Sequence, residues 1–158
     1  MSKAPSTPAT RLLRERELAY TEHLYRYQER GGTAVSAREL GVDEHAVVKT
    51  LVMQDDRARA LLVLMHGYRQ VSTKNLARAR GVKSVEPCSV EAAQRHSGYL
   101  VGGTSPFGTR KPMPVCVEAG VLALPRIWIN GGRRGFLVGI EPIVLSGLLG
   151  ARAVDCAL

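Results

Sequence analysis

Two β-rich apolar runs stand almost back to back in this 158-residue chain, and they limit its fold more than any other feature. VVKTLVMQ (47–54) and ARALLVLMH (58–66) are separated only by Asp55-Asp56-Arg57, which predicts a hairpin with a three-residue connection. In the first run the strand period of two places Val47, Lys49, Leu51 and Met53 on one face and Val48, Thr50 and Val52 on the other. Both faces are apolar apart from Lys49 and Thr50, so the strand is expected at the centre of a sheet covered on both sides. A buried, unpaired ammonium is costly. Lys49 must therefore either snorkel to solvent or face a pocket where it binds a carboxyl, carbonyl or phosphate.

Capping chemistry places helices around this hairpin. Thr7 is an N-cap with Pro8 at N1, and ATRLLRERELA follows with strong helix formers. LAYTEHLY (18–25) predicts a strand. The S-x-x-E box from Ser36 to Glu39 predicts a short helix running to Gly41, and Asp43 caps a further turn. Ser72 and Ser89 cap helices that Gly81 and Gly98 end. YLVGG (99–103), PVCVEA (114–119), RIWIN (126–130) and GFLVGI (135–140) predict strands, the last two joined by Gly131-Gly132-Arg133-Arg134. A helix, PIVLSGLLG, and a strand, ARAVDC, complete the pattern. Interleaved helices and strands with short strand-to-strand turns predict an α/β single domain over residues 1–158, a mixed, partly antiparallel sheet with helices packed around it. No run is apolar enough to span a membrane and MSKAPSTPAT has no apolar h-region, so a soluble, cytoplasmic protein is expected.

Composition narrows the chemistry. Cys88, Cys116 and Cys156 are odd in number and show no C-x-x-C, and the four histidines form no H-E-x-x-H, so no metal site is expected. Gly102-Gly103-Thr104-Ser105-Pro106-Phe107-Gly108 has neither P-loop nor dinucleotide-fingerprint spacing, which makes a nucleotide cofactor unexpected. That segment is either a plain turn or a loop whose N–H groups hold a substrate carbonyl or an oxyanion. Ser105 and Ser146 lie in no nucleophile elbow. The net charge is +8, carried by 17 Arg and 5 Lys. Arginine grips phosphate bidentately, so this surplus either marks a nucleic-acid or polyanion partner or solvates the surface. The basic pairs Arg110/Lys111 and Arg133/Arg134 fall on expected loops. Aromatic residues make up 5% of the chain, too few for the stacking platforms of single-strand binders.

VVKTLV (47–52), the glycine-ended helices, GYLVGGTSPFG (98–108) and INGGRRG (129–135) together resemble the YbaK family of aminoacyl-tRNA deacylases, from about Thr7 to Asp155. The resemblance, nearest to the free-standing bacterial Cys-tRNA(Pro) deacylases, implies an enzyme that cleaves the ester of mischarged Cys-tRNA(Pro) beside prolyl-tRNA synthetase. It implies no cofactor and no metal. Lys49 matches the family's essential pocket lysine, and Gly102 to Pro106 match its G-x-x-x-P loop, with Gly102 and Gly103 facing the reacting carbonyl. Tyr25, Thr50, Thr104, Ser105, Pro106, Asn130 and Gly131 are the implied substrate-binding positions. Arg110, Lys111, Arg133 and Arg134 are expected to meet the acceptor end of tRNA(Pro). In the Cys-specific members the substrate's own thiol attacks its ester carbonyl. Two departures, Asn130 where some members carry serine and Leu137 where some carry an acidic residue, leave alanine- or serine-charged tRNA as alternative substrates. A non-catalytic tRNA- or synthetase-binding module is the alternative outside enzymology.

Overall fold

The computed structural model describes residues 4–158 and builds them around one eight-stranded mixed sheet. In chain order the elements are α1 (Pro8–Glu15), β1 (Thr21–Leu24), α2 (Gly32–Leu40), a 3-10 turn at Glu44–Ala46, β2 (Val47–Asp55), β3 (Ala60–His66), α3 (Thr73–Arg80), β4 (Val85–Pro87), α4 (Val90–Ser97), β5 (Val115–Glu118), α5 (Ala119–Leu122), β6 (Ile127–Arg133), β7 (Phe136–Ile140), α6 (Ile143–Leu149) and β8 (Arg152–Val154). The strand order is β1-β7-β6-β2-β3-β5-β8, with β4 added to β2. Antiparallel and parallel pairings coexist, as the short turns predict.

The central hairpin forms as expected. Val48 to Gln54 pair with His66 to Ala60, and every residue of β3 is buried. The Asp55 carboxylate closes the turn by accepting the backbone N–H groups of Arg57 and Arg59 and the Arg59 Nε. On one face Val48 and Val52 join a core with Leu13, Tyr99, Phe107, Ile127 and Phe136. On the other, Met53, Leu61, Val63 and Met65 pack with Leu76 and Cys116. Thr7, Asp43, Ser72 and Ser89 cap their helices or turn through side-chain oxygens.

Several boundaries differ from the sequence reading. The helix of Leu40 starts at Gly32, four residues before Ser36, whose hydroxyl instead donates to the Thr33 carbonyl at 3.1 Å. The first strand is only Thr21–Leu24, because α1 ends at Glu15 and a turn follows it. YLVGG forms no strand; Leu100–Gly103 is a turn closed by the Gly103 N–H on the Leu100 carbonyl at 2.8 Å. Gly131 and Gly132 lie within β6 at a register shift between Asn130 and Arg133, so only Arg134-Gly135 turns the hairpin. The last strand is three residues long, and β4 and α5 carried too few residues to be anticipated.

Candidate functional site

β2 is the origin of the site because it changes partners along one edge. Its first two residues pair with β6 and its last three with β4, while β3 covers the opposite edge throughout. Residues Lys49 to Leu51 therefore have no strand beside them on that edge. The Gly67 N–H donates to the Val47 carbonyl on the β3 side and the Cys88 N–H to the Val52 carbonyl on the β4 side. Alternation along the strand then turns the peptide groups of Thr50 toward the gap. The Thr50 hydroxyl is itself buried without a hydrogen-bond partner.

A cleft of about 890 Å³ opens at this gap. Lys49, Thr50, Tyr25, Tyr27 and Thr33 line it. Cys88, Gln94, Gly102, Thr104 and Arg134 line it as well, Gly102 and Arg134 against Tyr27. The volume lies within the range of small-molecule sites. Burial pulls the pKa of the Lys49 ammonium below that of an exposed lysine, and the Glu44 carboxylate opposes this shift. Glu44 is held by the Thr33 hydroxyl at 2.8 Å. A desolvated lysine of this kind binds an electron-rich oxygen more strongly than a solvated one does, since water no longer screens it.

The glycine loop sits across the cleft, held by long-range contacts. Gly102 has φ +93°, and a Cβ there would lie 2.7 Å from the Tyr27 hydroxyl and 3.2 Å from Arg134 Nε. A Cβ on Gly103 would lie 2.7 Å from the Arg134 backbone nitrogen. Both glycines thus serve close packing against the β6–β7 hairpin. The Asn130 amide donates to the Gly102 carbonyl at 3.2 Å and accepts from Gly132 and Arg133 N–H, so its polar atoms are engaged by the protein. Arg134 Nε donates to the Val101 carbonyl at 2.9 Å, and its guanidinium lies 5.5 Å from the centre of the Tyr27 ring.

The expected residues are therefore sorted by position. Lys49, Thr50, Tyr25, Gly102, Thr104, Asn130 and Arg134 share the cleft. Ser105 is buried with its hydroxyl taking the Phe107 N–H, and Pro106 and Gly131 are buried in the framework behind the cleft. The Gly103 N–H is spent on Leu100, whereas the Gly102 N–H makes no hydrogen bond among the described residues. Arg110 and Lys111 are exposed on a loop tied by their own N–H groups to Ser97 and His96 at the end of α4. Arg133 is exposed beside Arg134. The sequence reading missed Tyr27, Thr33, Glu44, Cys88 and Gln94; Tyr27 and Thr33 offered a signal in their closeness to Tyr25 and to the first glycine pair.

Comparison with known proteins identifies the family and the fold. Residues 30–146 match the family model of the aminoacyl-tRNA editing domain. Enterococcus faecalis EbsC, named a candidate Cys-tRNA(Pro)/Cys-tRNA(Cys) deacylase, is 27% identical over 143 residues, 90% of this chain and 87% of EbsC. The crystal structure of a candidate trans-editing enzyme for prolyl-tRNA synthetase superposes with a TM-score of 0.83 at 24% identity, over 98% of this chain and 99% of that one. That of hypothetical protein APE2540 gives 0.88 at 22% identity, over 96% and 100%. These two likenesses establish the fold.

Proposed function

The chain belongs to the aminoacyl-tRNA editing domain family, and on that premise we propose that it is a deacylase that removes cysteine mischarged onto tRNA(Pro). One observation carries the reading: Lys49, half desolvated, stands at a break in the central sheet and shares one cleft with the Gly102 loop. That pairing supplies a cation and a backbone N–H around a site that holds an ester carbonyl, and it needs no protein nucleophile.

The substrate supplies the nucleophile. The cysteine thiol loses its proton and its sulfur bonds to the cysteine's own carbonyl carbon. The bond to the terminal ribose oxygen then breaks, and the proton ends on that oxygen. Water opens the resulting thiolactone to free cysteine. Holding the thiol beside its own carbonyl makes the attack intramolecular, so positioning contributes to the rate. Gly102 N–H faces the oxygen on which charge develops, and Lys49 holds the ester or the terminal adenosine. The exposed cations Arg110, Lys111, Arg133 and Arg134 meet acceptor-stem phosphates, and the enzyme works alongside prolyl-tRNA synthetase in the cytoplasm, with the whole chain acting as one domain.

The test uses tRNA(Pro) charged separately with cysteine, alanine, serine and proline, with ester loss followed over time. Rapid loss of the cysteine ester alone is expected, and Lys49→Ala should abolish it while the fold is kept. Loss of alanine or serine instead would move the substrate, and no loss at all would leave a tRNA-binding module.

A further inference from the structure

We propose that Arg134 is a positioning residue for the deacylation, locking the peptide plane that carries Gly102 N–H; this rests on the deacylase reading above. Leu100–Gly103 is a β-turn closed by the Gly103 N–H on the Leu100 carbonyl, and Gly102, at its third position with φ +93°, makes it type II. Types I and II differ by a flip of the central peptide, here Val101–Gly102. In a trans peptide the carbonyl and the N–H point in opposite directions. Whatever holds the Val101 carbonyl therefore decides where Gly102 N–H points.

Each neighbouring plane has its own restraint. The Gln94 side chain accepts the Val101 N–H at 3.0 Å and fixes the plane before. Asn130 holds the Gly102 carbonyl while Leu100 holds the Gly103 N–H, which fixes the plane after. The central plane has one hydrogen-bonded restraint among the described residues, Arg134 Nε on the Val101 carbonyl at 2.9 Å. Tyr27 braces that guanidinium through its ring and limits Gly102 from the same side. Loss of Arg134 frees the central peptide to turn over, and the Gly102 N–H then reverses its direction.

The experiment compares Arg134→Gln with wild type by single-turnover hydrolysis of Cys-tRNA(Pro), equilibrium tRNA binding and the NMR cross-peak from Val101 Hα to Gly102 HN, which is strong in a type II turn. The expected result has three parts: a fall of about 100-fold in the saturating rate constant, the size seen when one oxyanion donor is lost; tRNA affinity within about threefold of wild type; and a weakened cross-peak. Added guanidinium ion should recover part of the rate. Gly102→Ala, which disfavours the same turn, should reproduce the rate loss, and the double variant should fall no further. If Arg134→Gln does not fold, Arg134→Lys, which keeps the charge but not the guanidinium fork, carries the same comparison. Weaker binding with an unchanged rate constant and a shallower salt dependence would make Arg134 a phosphate contact and overturn the proposal. A changed cross-peak with a normal rate, or a lost rate with an intact cross-peak, would overturn it as well. Should wild type cleave no mischarged tRNA, the deacylase reading fails, while the cross-peak still reports whether Arg134 holds the turn.

Discussion

Gly103→Ala is the most economical perturbation of the site, because it adds one methyl where two loops touch. The new Cβ would lie 2.7 Å from the Arg134 nitrogen and 2.9 Å from the Arg133 carbonyl carbon, and both are backbone atoms that cannot rotate away. Ordinary contacts of carbon with such atoms start near 3.4 Å, so the Gly102 loop and the β6–β7 hairpin must separate by roughly 0.5–0.7 Å. Gly103 does not have a positive φ, so the cost is packing rather than backbone strain. Overpacking of this kind costs about 1–3 kcal/mol. Two kcal/mol corresponds to a Tm lower by about 4–8 °C in a chain of this size. The same displacement moves the Gly102 N–H, and misplacement approaching 1 Å costs up to about 100-fold in rate. Thermal melts followed by circular dichroism and single-turnover deacylation measure the two effects. Gly147→Ala is the matched control: Gly147 lies in α6 with nothing within 4 Å of the added methyl, so it should gain about 0.5–1 kcal/mol and leave the rate unchanged. A Gly103→Ala protein as stable and as fast as wild type would refute the close-packing account of the loop.

Three further outcomes are expected. Burial lowers the Lys49 pKa, so its charge costs stability at neutral pH and the cost fades as pH rises through the folded and unfolded values; Lys49→Met should raise the Tm at pH 7, lose that advantage above pH 10 and remain inactive, as melts across pH would show. Cys88 lines the cleft whereas Cys116 and Cys156 are fully buried; iodoacetamide should alkylate Cys88 first, by peptide mass mapping, and deacylation should fall in step. The buried Tyr99 hydroxyl donates to the Phe107 carbonyl at 2.6 Å, and burial pushes its pKa up to about 12; Tyr99→Phe should cost about 1–3 kcal/mol in urea unfolding by leaving that carbonyl unmet.

What could be read from the residues alone was the chemistry that acts within a few positions. Thr7, Asp43, Ser72 and Ser89 announce their caps because each accepts an N–H two or three residues away. The two apolar runs announce the hairpin, and Lys49 stands out because it interrupts one of them. Ser36 misled because the same hydroxyl that caps a helix from outside also bonds back to a carbonyl from inside, and the glycines before it open the helix earlier. YLVGG has the composition of a strand, yet its shape is set by Gln94, Asn130 and Arg134, which lie 7, 28 and 33 residues away from the groups they hold. The approach of Tyr27 to Gly102 was hidden for the same reason, since only the folded chain brings them together.

The change of partners along β2 places a short open edge at the heart of the most protected part of the molecule. Its neighbours in the hairpin should hold their amide hydrogens for as long as the whole fold survives, while Thr50 exchanges with solvent like a residue on a surface loop. The enzyme thereby keeps a strand's stiffness and a loop's accessibility in one peptide. An open edge only three residues long, bounded by β6 and β4, also gives a foreign strand little room to add itself, so it does not carry the aggregation hazard of an ordinary sheet border.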